Sequence, residues 1–278
     1  MNYDKIITDI SNKTPAPQED TYLGEDGLLT CAKCHGRREV ILEVFGKTRK
    51  VSCVCKCQQE AIQAEDEAIE KRARMRKIEE MRRTGFTDKP LMSWTFENDD
   101  GSQPKVMHIA KNYVENFDEL KATGKGLLLY GGVGSGKTYA AAAIANALID
   151  KGIPVMMTNF SRITNKLQEK FEKKQAYLDG LNKFDLLVLD DLASERHTEY
   201  MQEVIYNVID SRYRSGLPMI ITTNLSIDTM KNPENTSDGR IYDRLLEKCF
   251  PVEVKGASHR RKNIRKDYEH MKDLLGLN

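Results

Sequence analysis

Residues 127–148 read LLLYGGVGSGKTYAAAAIANAL, and the fold follows from how the three parts of this stretch are joined. The run Leu127–Tyr130 has the apolar, unbroken character of a strand buried on both faces. The residues after Tyr139 are strong helix formers. Between them, Gly131, Gly136, Lys137 and Thr138 stand in the full G-x-x-x-x-G-K-T spacing, after a strand and before a helix, as a phosphate-cradling loop requires. Gly131, Gly132, Val133, Gly134, Ser135 and Gly136 let successive backbone N–H groups turn inward, and the helix amino terminus adds partial positive charge. Lys137 is placed to reach the β- and γ-phosphate oxygens of ATP, Thr138 to ligate Mg2+, and Tyr139 completes the loop. A glycine turn without a ligand is the plainer alternative, and a second motif downstream argues against it.

That motif is FDLLVLDD, residues 184–191. Its apolar strand delivers Asp190 to the carboxyl edge of a sheet, where α/β proteins bind ligands. Asp190 is expected to hold Mg2+, directly or through water, and Asp191 to act on the attacking water as base. Glu195, four residues on, is a second candidate for that task, and an acidic pair capping a helix is the plain reading. A third strand, PMIITTNLS, ends in Thr222, Thr223 and Asn224, and a polar side chain there can bond the attacking water or the γ-phosphate. A helix cap before Ile227 is its structural alternative.

Arg240 and Arg244 lie four apart in SDGRIYDRLLEKCF, on one helical face. Arg244 is the favoured candidate for an arginine offered to a neighbouring subunit's γ-phosphate, although Asp243 and Glu247 lie close enough to pair with it. Residues 255–266, KGASHRRKNIRK, carry Lys255, Arg260, Arg261, Lys262, Arg265 and Lys266 and no acid. Arg260 is the candidate for a nucleotide-phosphate contact within its own subunit. The others suit a nucleic-acid backbone or a solvated helix face.

Working outward, strands at 126–130, 154–158, 185–189, 219–223 and 250–254 alternate with helices at 105–122, 137–150, 160–178, 198–214 and 238–248. This rhythm predicts an α/β fold with a five-stranded parallel P-loop sheet flanked by helices. Two regions are expected: residues 1–90, containing a small zinc-ribbon-like domain and a charged helix over 58–84, and residues 91–278, the nucleotide-binding domain. In the helix, acids stand early (Glu65, Asp66, Glu67, Glu70) and bases late (Arg82, Arg83), a polarity that suits the helix dipole, and Gly85 should end it. Trp94-Thr95-Phe96 marks the lead-in to the second region.

The 278 residues, 40% hydrophobic and 31% charged, suit a globular chain with one full core and a smaller unit. Lys and Arg total 43 against 42 acids, so any basic surface is local rather than global. No apolar run approaches the ~18 residues of a membrane span, and a cytoplasmic location without membrane association is expected. Five of the six cysteines fall between Cys31 and Cys57, which in a reducing compartment points to metal ligation. Cys31-Ala-Lys-Cys34 forms one knuckle, and Cys53, Cys55 and Cys57 compete for the two further places of a tetrahedral Zn2+. Iron–sulfur ligation is the rival reading. Between the knuckles, the β-rich stretch 40–54 turns at Gly46-Lys47. Cys249 stands alone beside Phe250 and reads as a buried small apolar residue.

The pieces WTFEND, LLLYGGVGSGKTYAAAAIANAL, LLVLDDLASER, IDSRYRSGLPMIITTN, RIYDRLLEKC and GASHRR, spread over residues 94–261, together resemble the DnaC/DnaI-type loaders of the bacterial replicative helicase. These are a branch of the AAA+ ATPases shared with the IstB transposition helper. The resemblance implies an ATPase of bacterial or phage replication that loads a hexameric DnaB-type helicase onto single-stranded DNA. Asn224 would be its sensor, Arg244 its trans-acting finger and Arg260 its second sensor, within a self-associated ring or spiral. It also implies single-stranded DNA contacts along residues 194–213 and a helicase-gripping role for residues 1–90. A transposition helper acting on duplex DNA and a non-catalytic zinc adaptor are the alternative functions.

Overall fold

The computed structural model describes residues 20–44, 46–169, 174–192, 198–256, 258, 268 and 271–277. The chain divides into two compact units, Met1–Met75 and Arg76–Asn278.

The first unit holds two antiparallel hairpins. Strands β1 (Thr21–Leu23) and β2 (Leu29–Cys31) pair with each other, as do β3 (Glu39–Val44) and β4 (Lys47–Ser52). Val44 faces Lys47 across the second hairpin, so the turn falls one residue earlier than expected and Lys47 is already strand. Gly46 takes the left-handed conformation that such a tight turn demands (φ +70°). Ile41, Leu42, Val44 and Val51 of this hairpin are solvent-exposed.

Helix α1 (Lys56–Gly85) begins in the first unit and ends in the second, running from two residues before the expected start to Gly85. Its first turn contains no acid. The expected acids begin nine residues in, beyond the reach of the helix dipole, and only Arg82 and Arg83 in the last turn sit where the dipole acts. Residues 59–77 are exposed all round.

The second unit is built on one parallel sheet in the order β6-β7-β8-β5-β9: β5 (Gly126–Tyr130), β6 (Val155–Asn159), β7 (Leu186–Leu192), β8 (Met219–Thr223) and β9 (Cys249–Glu253). The outer edge of β6 is met by Phe86, which bridges to Met157, and by Thr87, whose N–H donates to the Met157 carbonyl. On the other edge, β9 carries Pro251, which lacks the N–H a further strand would need.

Helix α4 (Lys137–Asp150) packs so tightly that Ala141, Ala142, Ala143 and Ala145 are wholly buried, as expected of a helix apolar all round. The Asn146 amide in its middle donates to the carbonyls of Leu91 and Trp94, pinning the lead-in segment.

The expected helix at 105–122 is two helices, α2 (Pro104–Glu115) and α3 (Phe117–Thr123), which meet at Asn116. The Asn116 side chain bonds back to the Asn112 carbonyl, a local competitor of the helical ladder. Helices α5 (Phe160–Glu169) and α6 (Lys174–Leu181) occupy the expected 160–178 span, with 170–173 outside the described residues. Helix α7 (Glu199–Ser215) is capped by the Thr198 hydroxyl, which accepts from the Met201 N–H. After β8 come α8 (Ile227–Lys231) and α9 (Thr236–Lys248).

Candidate functional site

Strand order creates the site. Strand β8 lies between β5, which feeds the glycine loop, and β7, which carries the acids, so residues at the end of β8 stand between the lysine and the carboxylates. The buried Lys137 side chain donates from Nζ to the Gly131 carbonyl (2.9 Å), the Gly132 carbonyl (2.8 Å) and Asn224 Oδ1 (2.8 Å). Asn224 Nδ2 in turn donates to Asp191 Oδ1 (3.2 Å). Lysine, sensor candidate and base candidate are thus one connected chain of hydrogen bonds.

Asp190 and Asp191 lie inside β7 rather than just beyond it, because the strand continues to Leu192 through an irregularity. Leu189 pairs with Ile221 and Leu192 with Thr223, so two residues on β7 face Thr222 alone. This is the arithmetic of a β-bulge. Asp191 absorbs the extra length with φ +62°, a left-handed conformation rare for a non-glycine residue. Burial raises the Asp190 carboxyl above the ordinary carboxylate range, while hydrogen bonds from Thr222 and Thr138 pull it back. Thr138 therefore stands beside Asp190, as a shared Mg2+ would need.

The loop fits a triphosphate on two observations. Ser135 Oγ is buried and has no hydrogen-bond partner among the described residues, a polar atom left over for something the chain does not supply. Gly134 (φ +78°) approaches the chain so closely that a Cβ there would lie 2.3 Å from Ser258 Oγ, so the loop takes this bend only without a side chain. Of the remaining loop residues, Val133 is exposed at the crown. Tyr139 turns its ring onto Trp94 (5.7 Å between centroids) and donates its hydroxyl to the Thr95 carbonyl, so its side chain serves the lead-in segment.

Sequence reasoning missed Gln103. Its side-chain amide donates to the Ser135 carbonyl (3.1 Å) and the Lys255 carbonyl (2.6 Å), tying the phosphate loop to the segment after β9. A single Gln before Pro104 carries no sequence signal of such a role.

Arg244 is held within its own subunit. Nη2 pairs with Asp210 Oδ1 at 2.7 Å and donates to the Tyr206 hydroxyl, and the guanidinium lies 4.9 Å and 5.6 Å from the rings of Tyr206 and Tyr213. Its partners come from α7, not from the expected Asp243 or Glu247. Arg240, one turn earlier, is exposed. Arg260 and Glu195 lie outside the described residues, as do Arg261, Lys262, Arg265 and Lys266. Cys249 is buried, and burial pushes its thiol up to about 12, which leaves it inert at neutral pH.

In the first unit the ligand competition resolves. The Sγ atoms of Cys31, Cys34, Cys55 and Cys57 all lie within 4.8 Å of one another, a spacing that suits four thiolates around one ion at ~2.3 Å each. Cys53 stands apart and bonds the Arg37 carbonyl through Sγ. Chain direction explains the selection. β4 ends at Ser52 and α1 begins at Lys56, so the alternation that would align the three downstream cysteines is broken between Cys53 and Cys55. The N–H groups of Cys57 and Gly36 draw the Cys34 thiol down to about 6. Gly36 lets this knuckle close tightly, since a Cβ there would lie 3.3 Å from both Cys34 Sγ and Cys55 Cβ. Four such thiols could hold a metal ion, and around a tetrahedral ion they would leave no coordination position open.

We expect one zinc ion per chain, retained in Cys53→Ser and lost in Cys55→Ser. Elemental analysis of the purified variants checks this. Equal loss in both would contradict the assignment.

A family profile described as IstB-like ATP binding protein matches residues 47–267. Replicative helicase loader DnaI of Bacillus subtilis (strain 168) is 27% identical over 199 residues, which is 66% of this chain and 64% of DnaI. Phage-like element PBSX protein XkdC of the same strain is 29% identical over 166 residues, 56% of this chain and 62% of XkdC. The chain therefore spans less than two thirds of the length of these two relatives. Replicative helicase loader DnaC of Escherichia coli (strain K12) is 28% identical over 211 residues, 72% of this chain and 83% of DnaC. Among solved structures, the crystal structure of the DnaC helicase loader matches with a TM-score of 0.52 at 25% identity, covering 60% of this chain and 100% of that one. The crystal structure of the DnaI matches in fold with a TM-score of 0.51 at 23% identity, covering 61% of this chain and 95% of that one.

Proposed function

This chain belongs to the family of IstB-like ATP binding proteins, and from that premise we propose that it is an ATPase that loads a hexameric, DnaB-type replicative helicase onto single-stranded DNA. The observation that carries the proposal is the continuous hydrogen-bond chain from Lys137 through Asn224 to Asp191, with Asp190 and Thr138 beside it. The likeness to loaders DnaI and DnaC supports the choice of cargo.

In the proposed cycle, Lys137 exchanges the Gly131 and Gly132 carbonyls for the β- and γ-phosphate oxygens. Thr138 and Asp190 would hold a magnesium ion, which when bound would neutralise phosphate charge. Asp191, oriented by Asn224, takes the proton of the attacking water. Asn224 is well placed as the sensor because one amide touches both the phosphate-binding lysine and the base.

Charge completion comes from a neighbouring copy, through the arginine face of α9 in a ring or spiral. Arg244 must first leave Asp210, whereas Arg240 already faces solvent. Arg240→Ala is expected to abolish assembly-dependent stimulation without lowering the melting temperature. Arg244→Ala should abolish it and lower the melting temperature too, since it also ties α9 to α7. A trans arginine contributes about 10^3–10^5-fold, so stimulation surviving in both variants would remove α9 from the mechanism.

Residues 1–90 are the proposed helicase grip. The aliphatic hairpin side chains, left bare beside Lys47, Arg49 and Lys50, give a folded ribbon something to adhere with. The test is ATP hydrolysis measured with the replicative helicase and single-stranded DNA, added separately and together. Stimulation by the pair supports the loader. Stimulation by duplex DNA alone would instead favour a transposition helper, to which the IstB-like family description also points. Helicase loading unimpaired by Lys137→Ala would indicate a zinc adaptor with an idle nucleotide site.

A further inference from the structure

We propose that Thr222 is the positioning residue of the acidic pair: it holds the β7 bulge open and so sets where the magnesium-binding carboxylate stands. This rests on the nucleotide-site reading above and assigns a task to a residue whose hydroxyl bonds both aspartates.

Thr222 is 1% exposed, at the one place where β8 offers a single residue to two of β7. Its hydroxyl accepts from the Asp191 N–H at 2.8 Å and donates to Asp190 Oδ1 at 2.7 Å. Both bonds are short and the group can make no better use of its one proton. In an uninterrupted parallel ladder the Asp191 N–H would pair with backbone. The bulge takes it out of the ladder, and an unpaired buried N–H is costly. The hydroxyl replaces that lost partner and so stabilises the left-handed backbone at Asp191.

The other bond acts on Asp190. A hydroxyl donating to one oxygen fixes the rotation of the carboxyl group, with Thr138 bonded to the same group. One side chain thereby couples the base candidate's backbone to the metal candidate's head group. Thr223, the next residue, does something unrelated. Its hydroxyl donates to the Leu192 carbonyl, where regular pairing resumes.

The test compares Thr222→Val, which keeps the shape and removes both bonds, with Thr222→Ser, which keeps the bonds and removes a methyl group. Affinity for ATP is titrated with and without Mg2+, and hydrolysis is measured alongside. In Thr222→Val the gain in affinity on adding Mg2+ should disappear while metal-free binding stays within about threefold. kcat should fall by about 10^2-fold, the usual cost of a small misplacement at a reacting centre. Thr222→Ser should restore both to within about threefold.

A Thr222→Val protein with the wild-type magnesium gain overturns the proposal. So does a Thr222→Ser protein as defective as Thr222→Val with an unchanged melting temperature, because the methyl group and not the hydroxyl would then matter. Wild type that shows no magnesium gain also overturns it. Wild type that shows the gain but never hydrolyses ATP would sink the ATPase reading, and the role of Thr222 would still be decided by the binding comparison.

Discussion

Lys137→Ala is expected to reduce ATP turnover by about 10^3-fold, the upper end of what one charge-stabilising donor contributes. The cause is geometric. Among the described residues, Lys137 is the one ammonium that the strand order places between the glycine loop and the end of β8, and the three oxygens it bonds there mark the space a phosphate oxygen would take. Removing it leaves two loop carbonyls and the Asn224 amide facing a vacated volume, and no other described lysine is positioned to replace it. Steady-state hydrolysis and equilibrium binding of a non-hydrolysable analogue should both be measured. Loss of turnover with retained binding would assign the lysine to the transition state, whereas loss of both would assign it to ground-state grip. Turnover within threefold of wild type would refute the site.

The other large effect falls on stability and comes from a residue far from the phosphates. Arg212 is wholly buried. It donates from Nε to the Pro218 carbonyl, from Nη1 to Phe184, and from Nη2 to Asp185 and Pro218. Burial pushes its guanidinium down to about 10, so it is still charged at neutral pH. One planar fork thereby ties the segment before β7 to the residue before β8. Arg212→Ala takes the guanidinium away from three carbonyls and opens a buried cavity, and we expect a loss of about 3–5 kcal/mol, read as a fall in melting temperature of roughly 10 °C. Arg212→Lys should recover little, because a point charge cannot serve carbonyls set apart to match a fork. A change below 1 kcal/mol in Arg212→Ala would show that the buried charge costs as much as its bonds return.

The contrast between these two residues shows what a sequence discloses. The lysine is legible because its motif is contiguous and its chemistry depends on neighbours in the chain. Strand 126–130 was legible for a similar reason, since an unbroken apolar run buried on both faces has few alternatives. Arg212 looked like any arginine late in a helix, where the dipole alone would justify it, because its carbonyl partners lie before two different strands. The bulge at Asp190 and Asp191 was hidden too. A strand lengthens by one residue only if its neighbour supplies a substitute partner, and that neighbour, Thr222, lies 31 positions beyond Asp191. Among the cysteines, spacing admitted three candidates for two places, and the choice depended on where β4 stopped. The break at Asn116 needed one side-chain bond to the preceding turn, which average helix propensity does not register.

The two borders of the parallel sheet have a consequence for how copies can come together. With Phe86 and Thr87 laid along one border and Pro251 seated in the other, neither rim presents the uninterrupted row of donors and acceptors that β-augmentation exploits. Sheets of successive molecules cannot zip into a continuous ribbon, the usual beginning of fibrillar growth. Any contact between copies through this unit would instead be made by side chains on helices and loops, which can be rebuilt when a bound nucleotide changes. An assembly joined in that manner can come apart without any strand being unpaired.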